Sequence, residues 1–205
     1  MSARIVVLAG VNGAGKSSIA GAAILEAGGE FYNPDLMAAE LLAAHPFLKR
    51  DQANVHAWEL GRAGLERALK LGHFFAFETT LGARTITAML LAGAATGAHV
   101  HVSYVGLASV ELHLRRVASR AAAGGHDIPE AAIRARYASS RENLIRLMPY
   151  LASLRVYDNS VEADPKRGLK PVPLLLLHTE ARRVVRHAPL MRVPEWAKAI
   201  LAAAL

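Results

Sequence analysis

The sequence predicts an α/β protein: a mainly parallel five-stranded sheet covered on both faces by helices, with a C-terminal hairpin and helix appended. Three observations carry this expectation. Short apolar runs of strand length alternate along the chain with longer segments of helical spacing. The first of these runs, Ile5–Ala9, leads directly into a glycine loop and then an Ala-rich stretch of high helix propensity. No internal repeat, low-complexity linker or break in composition divides the 205 residues, so residues 1–205 read as one domain, large enough to bury a core.

The elements follow in order. The loop Gly10-Val11-Asn12-Gly13-Ala14-Gly15-Lys16-Ser17 matches G-x-x-x-x-G-K-[ST] at every specified position, with a strand before it and a helix from Ser17 to Glu26 after it. Glycines let backbone N–H groups curl around phosphate oxygens, and a helix N-terminus adds its positive dipole end. Gly10, Val11, Asn12, Gly13, Ala14, Gly15, Lys16, Ser17 and Ser18 are therefore expected to bind a nucleotide triphosphate. Lys16 would reach the β- and γ-phosphates, and the Ser17 hydroxyl would ligate Mg²⁺. This defines a P-loop NTPase of three-layer architecture, with ATP and Mg²⁺ as expected cofactors.

Gly28-Gly29 ends the first helix, and residues 30–32 read as a short second strand. Asn33 caps a helix with Pro34 at its first position, stopped by Pro46. A longer helix covers 51–71, with Val55, Trp58, Leu65 and Leu69 expected on its buried face and Glu59, Arg62, Glu66 and Lys70 on a solvated one. Strands at 73–77, 99–107 and 155–159 alternate with helices at 83–96 and 109–123. A further helix is capped by Asp127, with Glu130 three residues on as in a capping box. A hairpin (173–177 with 183–185) and a terminal helix (194–205) close the chain.

In such sheets ligands bind beyond the carboxyl ends of the strands. That rule brings the phosphate loop, Asn33–Asp35, Glu78–Thr80 and Asp158–Asn159 to one rim. The strand at 99–107 carries no terminal Asp, so Glu78 or Asp35 must serve around Mg²⁺. Arg116 and Arg120, four apart, share a helix face leading into the Gly124-Gly125 hinge, where a closing lid would set cations over a γ-phosphate. Arg134 and Arg141 read better as a solvated helix side. His99 and His101 share a strand face without a third ligand at metal spacing, which points to packing.

Composition constrains the setting. The net charge of +7 comes from 24 basic residues, only six of them Lys, and the excess is concentrated between Arg115 and Arg155. Arg suits bidentate phosphate contacts, so an anionic ligand is expected. With 6% aromatics and no basic–aromatic interleaving, a stacking platform for single strands is disfavoured, which argues against nucleic acid as the partner although the charge alone would suit it. The absence of cysteine excludes thiol nucleophiles and disulfides. No run approaches the roughly 18–20 apolar residues of a membrane span, nor is the N-terminal run long enough for a signal core. A cytoplasmic protein without membrane contact is expected.

The ordered segments GVNGAGKSS, FYNPD, FAFETTLGAR, RRVASRAAAGGHDIPEAAIRARY and RVYDNS, spanning roughly residues 4–160, resemble the zeta-toxin-like P-loop kinases, in particular their short bacterial branch. The resemblance implies a P-loop kinase core with a mobile lid (about 109–136), to which 161–205 would be a C-terminal extension. It also implies transfer of the ATP γ-phosphate to a hydroxyl of a small anionic metabolite such as a UDP-N-acetyl sugar, and a cognate antitoxin as partner. By the same resemblance Asp35 falls at the catalytic base, and Glu78 and Thr80 at substrate-contacting positions. Arg84 lies near a substrate-contacting arginine, with its spacing shifted by Leu81-Gly82-Ala83, and His126 near a polar lid residue. Together Asp35, Lys16, Arg116 and Arg120 form the expected catalytic set. Two other readings stay open: a polynucleotide end kinase, and a slow ATPase acting as a regulatory module.

Overall fold

β-Branched and aromatic residues stiffen four runs into strands: β1 (Arg4–Ala9), β2 (Phe74–Thr79), β3 (His99–Gly106) and β4 (Ser153–Asp158). The computed structural model describes residues 2–17, 19, 31–125, 127–161 and 172–205. The four strands pair in parallel, and β5 (Leu174–Glu180) and β6 (Arg183–His187) add to them antiparallel, giving the order β2-β1-β3-β4-β5-β6. Parallel strands need crossover connections, and helices supply them. These are α1 (Pro34–Ala44), α2 (Arg50–Leu71), α3 (Arg84–Ala95), α4 (Val110–Ala122) and α5 (Glu130–Leu147), followed at the C-terminal end by α6 (Glu195–Ala204).

The sheet differs from the sequence reading in two places. Of the strand expected at 30–32, Tyr32 forms an isolated parallel bridge to Phe77, because Pro34 commits the chain to α1 two residues later. The C-terminal hairpin is not an appendage. β5 pairs along the whole of β4, so the sheet has six strands among the described residues rather than five plus a separate hairpin. The helix expected over 17–26 falls largely outside the described residues, as do Ser18 and His126.

Two helices also depart from expectation. On α2 the buried face is Ala53, Ala57, Gly61, Leu65 and Ala68, whereas Val55 and Trp58 are exposed. Ala53 and Ala57 pack with Ala38 of α1, and only small residues allow the two helices to approach so closely; the larger side chains turn outward. The helix after the glycine pair starts at Glu130 with Pro129 at its cap position, not after a cap at Asp127. Ile128 precedes Pro129, and proline disfavours helical backbone in the residue before it, so the helix begins only beyond the proline. The Asp127 carboxylate instead accepts from the Ile128 N–H at 2.8 Å.

The main core lies on one face of the sheet, where Ile5, Val7, Val100, Val102, Leu154 and Val156 meet Leu90, Leu144, Leu147 and the α6 residues Trp196, Ile200 and Leu201. β1 sits between β2 and β3. Its carboxyl end is thus the point from which successive connections run to opposite sides, the crevice where open α/β sheets bind ligands. Among the described residues no helix is long and apolar enough to cross a membrane.

Candidate active site

The glycine loop leaves β1 at this crevice. Gly10, Gly13 and Gly15 all have positive φ (145°, 79° and 79°), which a side chain would strain. Space adds a second reason at two of them. A Cβ on Gly10 would stand 2.3 Å from the Val105 carbonyl oxygen, and one on Gly13 would stand 2.7 Å from that of His113. The loop is therefore wedged between β3 and α4, with its backbone in a curled conformation suited to anions.

Lys16 is drawn inward and is 7% exposed; its Nζ donates to the Gly10 carbonyl at 2.7 Å and pairs with Glu78 Oε1 at 3.3 Å. The other Glu78 oxygen accepts from Asn33 Nδ2 at 3.2 Å, and Asn33 Oδ1 caps α1 by accepting from the N–H groups of Asp35 and Leu36 at 2.9 and 3.3 Å. Residues 16, 33 and 78 thus form one chain of polar contacts from the phosphate loop to the start of α1. Ser17 is exposed at the point where the chain turns helical.

Beside this chain lies a cavity of about 760 Å³. Asp35, Asn33, Glu78, Thr80 and Asn12 line it, together with Arg50, Trp58, Arg62, Asp127 and Arg136. Asp35 is exposed at its wall, one residue inside α1. The structure therefore gathers Asn12, Asp35, Glu78 and Thr80 around one cavity and places Lys16 next to it through Glu78.

The expected arginines are placed differently. Arg84 is exposed at the first turn of α3 and is not part of the cavity wall. Arg116 lies on α4 close to Gly13 and donates through Nη2 to the Val161 carbonyl at 3.4 Å. Arg120 is exposed and packs against Gly125. Arg134 is tied up at the surface, with Nε 2.7 Å from Glu130 and Nη1 3.2 Å from Glu111 of α4. Arg141 stacks over the Tyr137 ring with its guanidinium carbon 4.1 Å from the centroid. His101 meets Ser153 at 2.8 Å, whereas His99 on the same strand face is exposed rather than packed.

Arg136 was not singled out in the sequence. It projects from α5 into the cavity wall, half-buried, and its Nη1 donates to Asn12 Oδ1 in the phosphate loop at 2.8 Å. Burial weakens its hold on its proton while the Asp35 carboxylate acts to retain it. It lies in the same arginine-rich stretch as Arg134, two residues on, and only its direction off the helix separates the two. Arg62, read as a solvated surface charge, pairs with Glu66 at 3.0 Å as expected yet also reaches the cavity.

α5 also fixes the loop that follows β2. Ser139 Oγ donates to the Gly82 carbonyl at 2.9 Å, Ser140 Oγ to that of Thr80 at 2.6 Å, and Asn143 Nδ2 to that of Leu81 at 2.8 Å. The buried Tyr104 hydroxyl, whose pKa burial pushes up to about 12, joins Ser140 at 3.0 Å. Leu81, buried and with φ of 55°, is held in a left-handed conformation by these contacts.

No protein-family profile matches the chain. An uncharacterized protein of Haemophilus influenzae is 27% identical over 144 residues, covering 67% of this chain and 94% of that protein. Among solved structures, AvrRxo1-ORF1:-ORF2, crystallised with ATP, superposes with a TM-score of 0.60 at 16% identity, covering 99% of this chain and 64% of that one. This chain thus spans just under two thirds of that protein's length. The PezAT chromosomal toxin–antitoxin system of Streptococcus pneumoniae superposes with a TM-score of 0.54 at 17% identity, covering 83% and 75%. The resemblance to zeta-toxin-like P-loop kinases thus holds at the level of the fold.

Proposed function

We propose that the chain is an ATP-dependent kinase that transfers the γ-phosphoryl group to a hydroxyl of a small anionic metabolite. The observation that carries this reading is the cavity of about 760 Å³ in which a carboxylate, Asp35, and a guanidinium, Arg136, share the wall beside a phosphate loop. The residues present fit a nucleotide triphosphate: positive-φ glycines, a buried lysine, and an arginine already joined to the loop. They also offer oxygens for Mg²⁺ in the Ser17 hydroxyl and the Glu78 carboxylate.

When bound, ATP·Mg²⁺ supplies the phosphoryl group and neutralises the charge that develops on it. Lys16, with Glu78 holding its ammonium at the base of the loop, neutralises phosphate oxygens. Asp35 accepts the proton of the acceptor hydroxyl as that oxygen bonds to the γ-phosphorus and the bond to the β–γ bridging oxygen breaks. Arg136, anchored to Asn12, offers donors to the transferring group, and Arg116 and Arg120 are the candidates for closure over it. Glu78 and Thr80 contact the acceptor. Trp58 gives it an aromatic surface and Arg50 and Arg62 give it cations, which favours an acceptor with a planar ring and acidic groups, such as a UDP-N-acetyl sugar.

The structural likeness to two complexes that pair such a fold with a second protein supports a cognate antitoxin as partner. Incubation with labelled ATP and a cell metabolite extract, followed by mass spectrometry, tests the reading. A phosphorylated metabolite formed by the wild type and not by Asp35→Asn is the expected result. Transfer to polynucleotide ends with steep salt dependence would instead favour an end kinase.

A further inference from the structure

Two carbonyls of the phosphate loop are held by side chains that approach from far along the chain. His113, on α4, bonds through Nδ1 to the Asn12 carbonyl at 2.8 Å, 101 residues away in sequence. Asn159, just past β4, donates from Nδ2 to the Ala14 carbonyl at 2.9 Å, 145 residues away. Both side chains are buried, at 1% and 6% exposure, where an idle polar group would be costly.

The described peptide bonds are all trans. In a planar trans peptide the C=O and the following N–H point in opposite directions. A donor pulling the Asn12 carbonyl toward α4 therefore turns the Gly13 N–H away from α4. The donor on the Ala14 carbonyl turns the Gly15 N–H away from Asn159 in the same manner. The two residues whose N–H groups are so aimed, Gly13 and Gly15, are the two with φ of 79°, and the alternation sets the concavity that binds anions.

Because the Asn12 carbonyl can only accept, His113 must carry its proton on Nδ1. Its Nε2 is buried without a partner, and the ring packs edge-on against Tyr137 of α5 at a centroid distance of 5.6 Å. A leucine or phenylalanine would pack against Tyr137 without leaving an orphaned nitrogen. What histidine adds there is the Nδ1–H donor to the loop.

We infer that His113 and Asn159 are positioning residues that hold the phosphate loop in its anion-binding conformation by fixing its alternate carbonyls. The inference rests on the phosphate-loop reading and adds to it where the loop's shape comes from. In a chain lacking either donor, the corresponding peptide is held less firmly, and part of the cost of ordering the loop falls on ligand binding.

The test compares affinities by calorimetry for two probes, ATP and inorganic tripolyphosphate, in the wild type and in His113→Phe, Asn159→Asp, His113→Asn and Lys16→Ala. His113→Phe keeps the ring against Tyr137 and loses the donor. Asn159→Asp is nearly isosteric and sets an acceptor against a carbonyl. His113→Asn returns an N–H donor near the Nδ1 position. One lost hydrogen bond corresponds to roughly a tenfold loss of affinity. His113→Phe and Asn159→Asp should each show about that loss for both probes, with His113→Asn recovering most of it. A purely structural role would not follow the phosphates in this way. Affinities within about twofold of wild type in both loss-of-donor variants, with Lys16→Ala clearly weakened, would overturn the inference alone. An unweakened Lys16→Ala would overturn the phosphate-loop reading and the inference with it. Should His113→Phe fail to fold, Asn159→Asp reads the second carbonyl independently.

Discussion

Asn143→Leu is the substitution for which the structure sets the size of the effect most directly. The replaced amide is 5% exposed, and its Nδ2 donates to the Leu81 carbonyl at 2.8 Å. Leucine has the same branched skeleton with bulkier methyl groups, so the change removes a donor without opening a cavity. The Leu81 carbonyl then loses its buried donor, at a cost of about 1–3 kcal/mol. Leu81 itself stands at φ of 55°, a conformation that costs a residue with a Cβ about 1–3 kcal/mol and persists only where its surroundings enforce it. Ser139 and Ser140 still hold the carbonyls on either side, so the loop should loosen rather than invert. A net loss of about 2 kcal/mol corresponds to a fall in Tm of about 4–8 °C for a chain of this length. Thermal denaturation gives that value, and hydrogen exchange should show faster exchange of the amides at 80–83. The affinity for ATP should stay at the wild-type level, because none of the three clamping side chains bonds to residues 10–17. An unchanged Tm, or a loss of ATP binding as large as the loss of stability, would refute the assignment of Asn143 to holding the loop after β2.

Four further outcomes are expected. Lys16→Ala should abolish the thermal stabilisation by ATP, which for the wild type is about 2.7 kcal/mol at a hundredfold excess over Kd; a thermal-shift titration reads it. Asp35→Asn should keep ATP affinity and lower phosphoryl transfer by about 10²–10⁴-fold, the usual contribution of a general base, measured with the acceptor found by mass spectrometry. Arg136→Ala should lower kcat more than Arg116→Ala or Arg120→Ala, since it alone of the three lines the cavity; steady-state kinetics of the three variants decide the order. Stability should also fall with acidification through His113. Burial, with the charges of Lys16, Arg116 and Arg141, pushes its pKa down to about 4 against the opposing bond to Asn12. Between about pH 6.5 and pH 4 the unfolded chain binds the proton and the native ring does not, so stability is lost as pH falls across that window, by up to about 3 kcal/mol. Denaturant titrations at pH 7 and pH 4.5 should show a difference that shrinks in His113→Phe.

Much of the fold is legible in local spacing. The glycine loop after β1, the Asn33 cap and four parallel strands were expected from residues a few positions apart, and the structure has them, whereas the strand expected at 30–32 is reduced to one bridge at Tyr32. Where a neighbour in space intervened, local reasoning failed. The outward turn of Val55 and Trp58 follows from the close approach of α1 and α2 at Ala38, Ala53 and Ala57. The hairpin became part of the sheet because β4 offered an unpaired edge, which no property of residues 174–187 reveals.

The sequence by itself determined that a strand, a glycine loop and a lysine stand together, and that carboxylates lie at the ends of neighbouring elements. Those features depend on backbone preferences and on residues within one or two turns of each other. The tertiary structure alone decided which arginine faces the cavity. Arg134 and Arg136 are two residues apart on α5, about 200° around the helix axis, so one meets Glu111 and Glu130 at the surface while the other meets Asn12. It also brought His113, Asn159 and Arg136 to the loop over separations of 101, 145 and 124 residues. Contacts of that range are set by the order of the strands and the packing of α4 and α5 against them, and no periodicity within a segment encodes either.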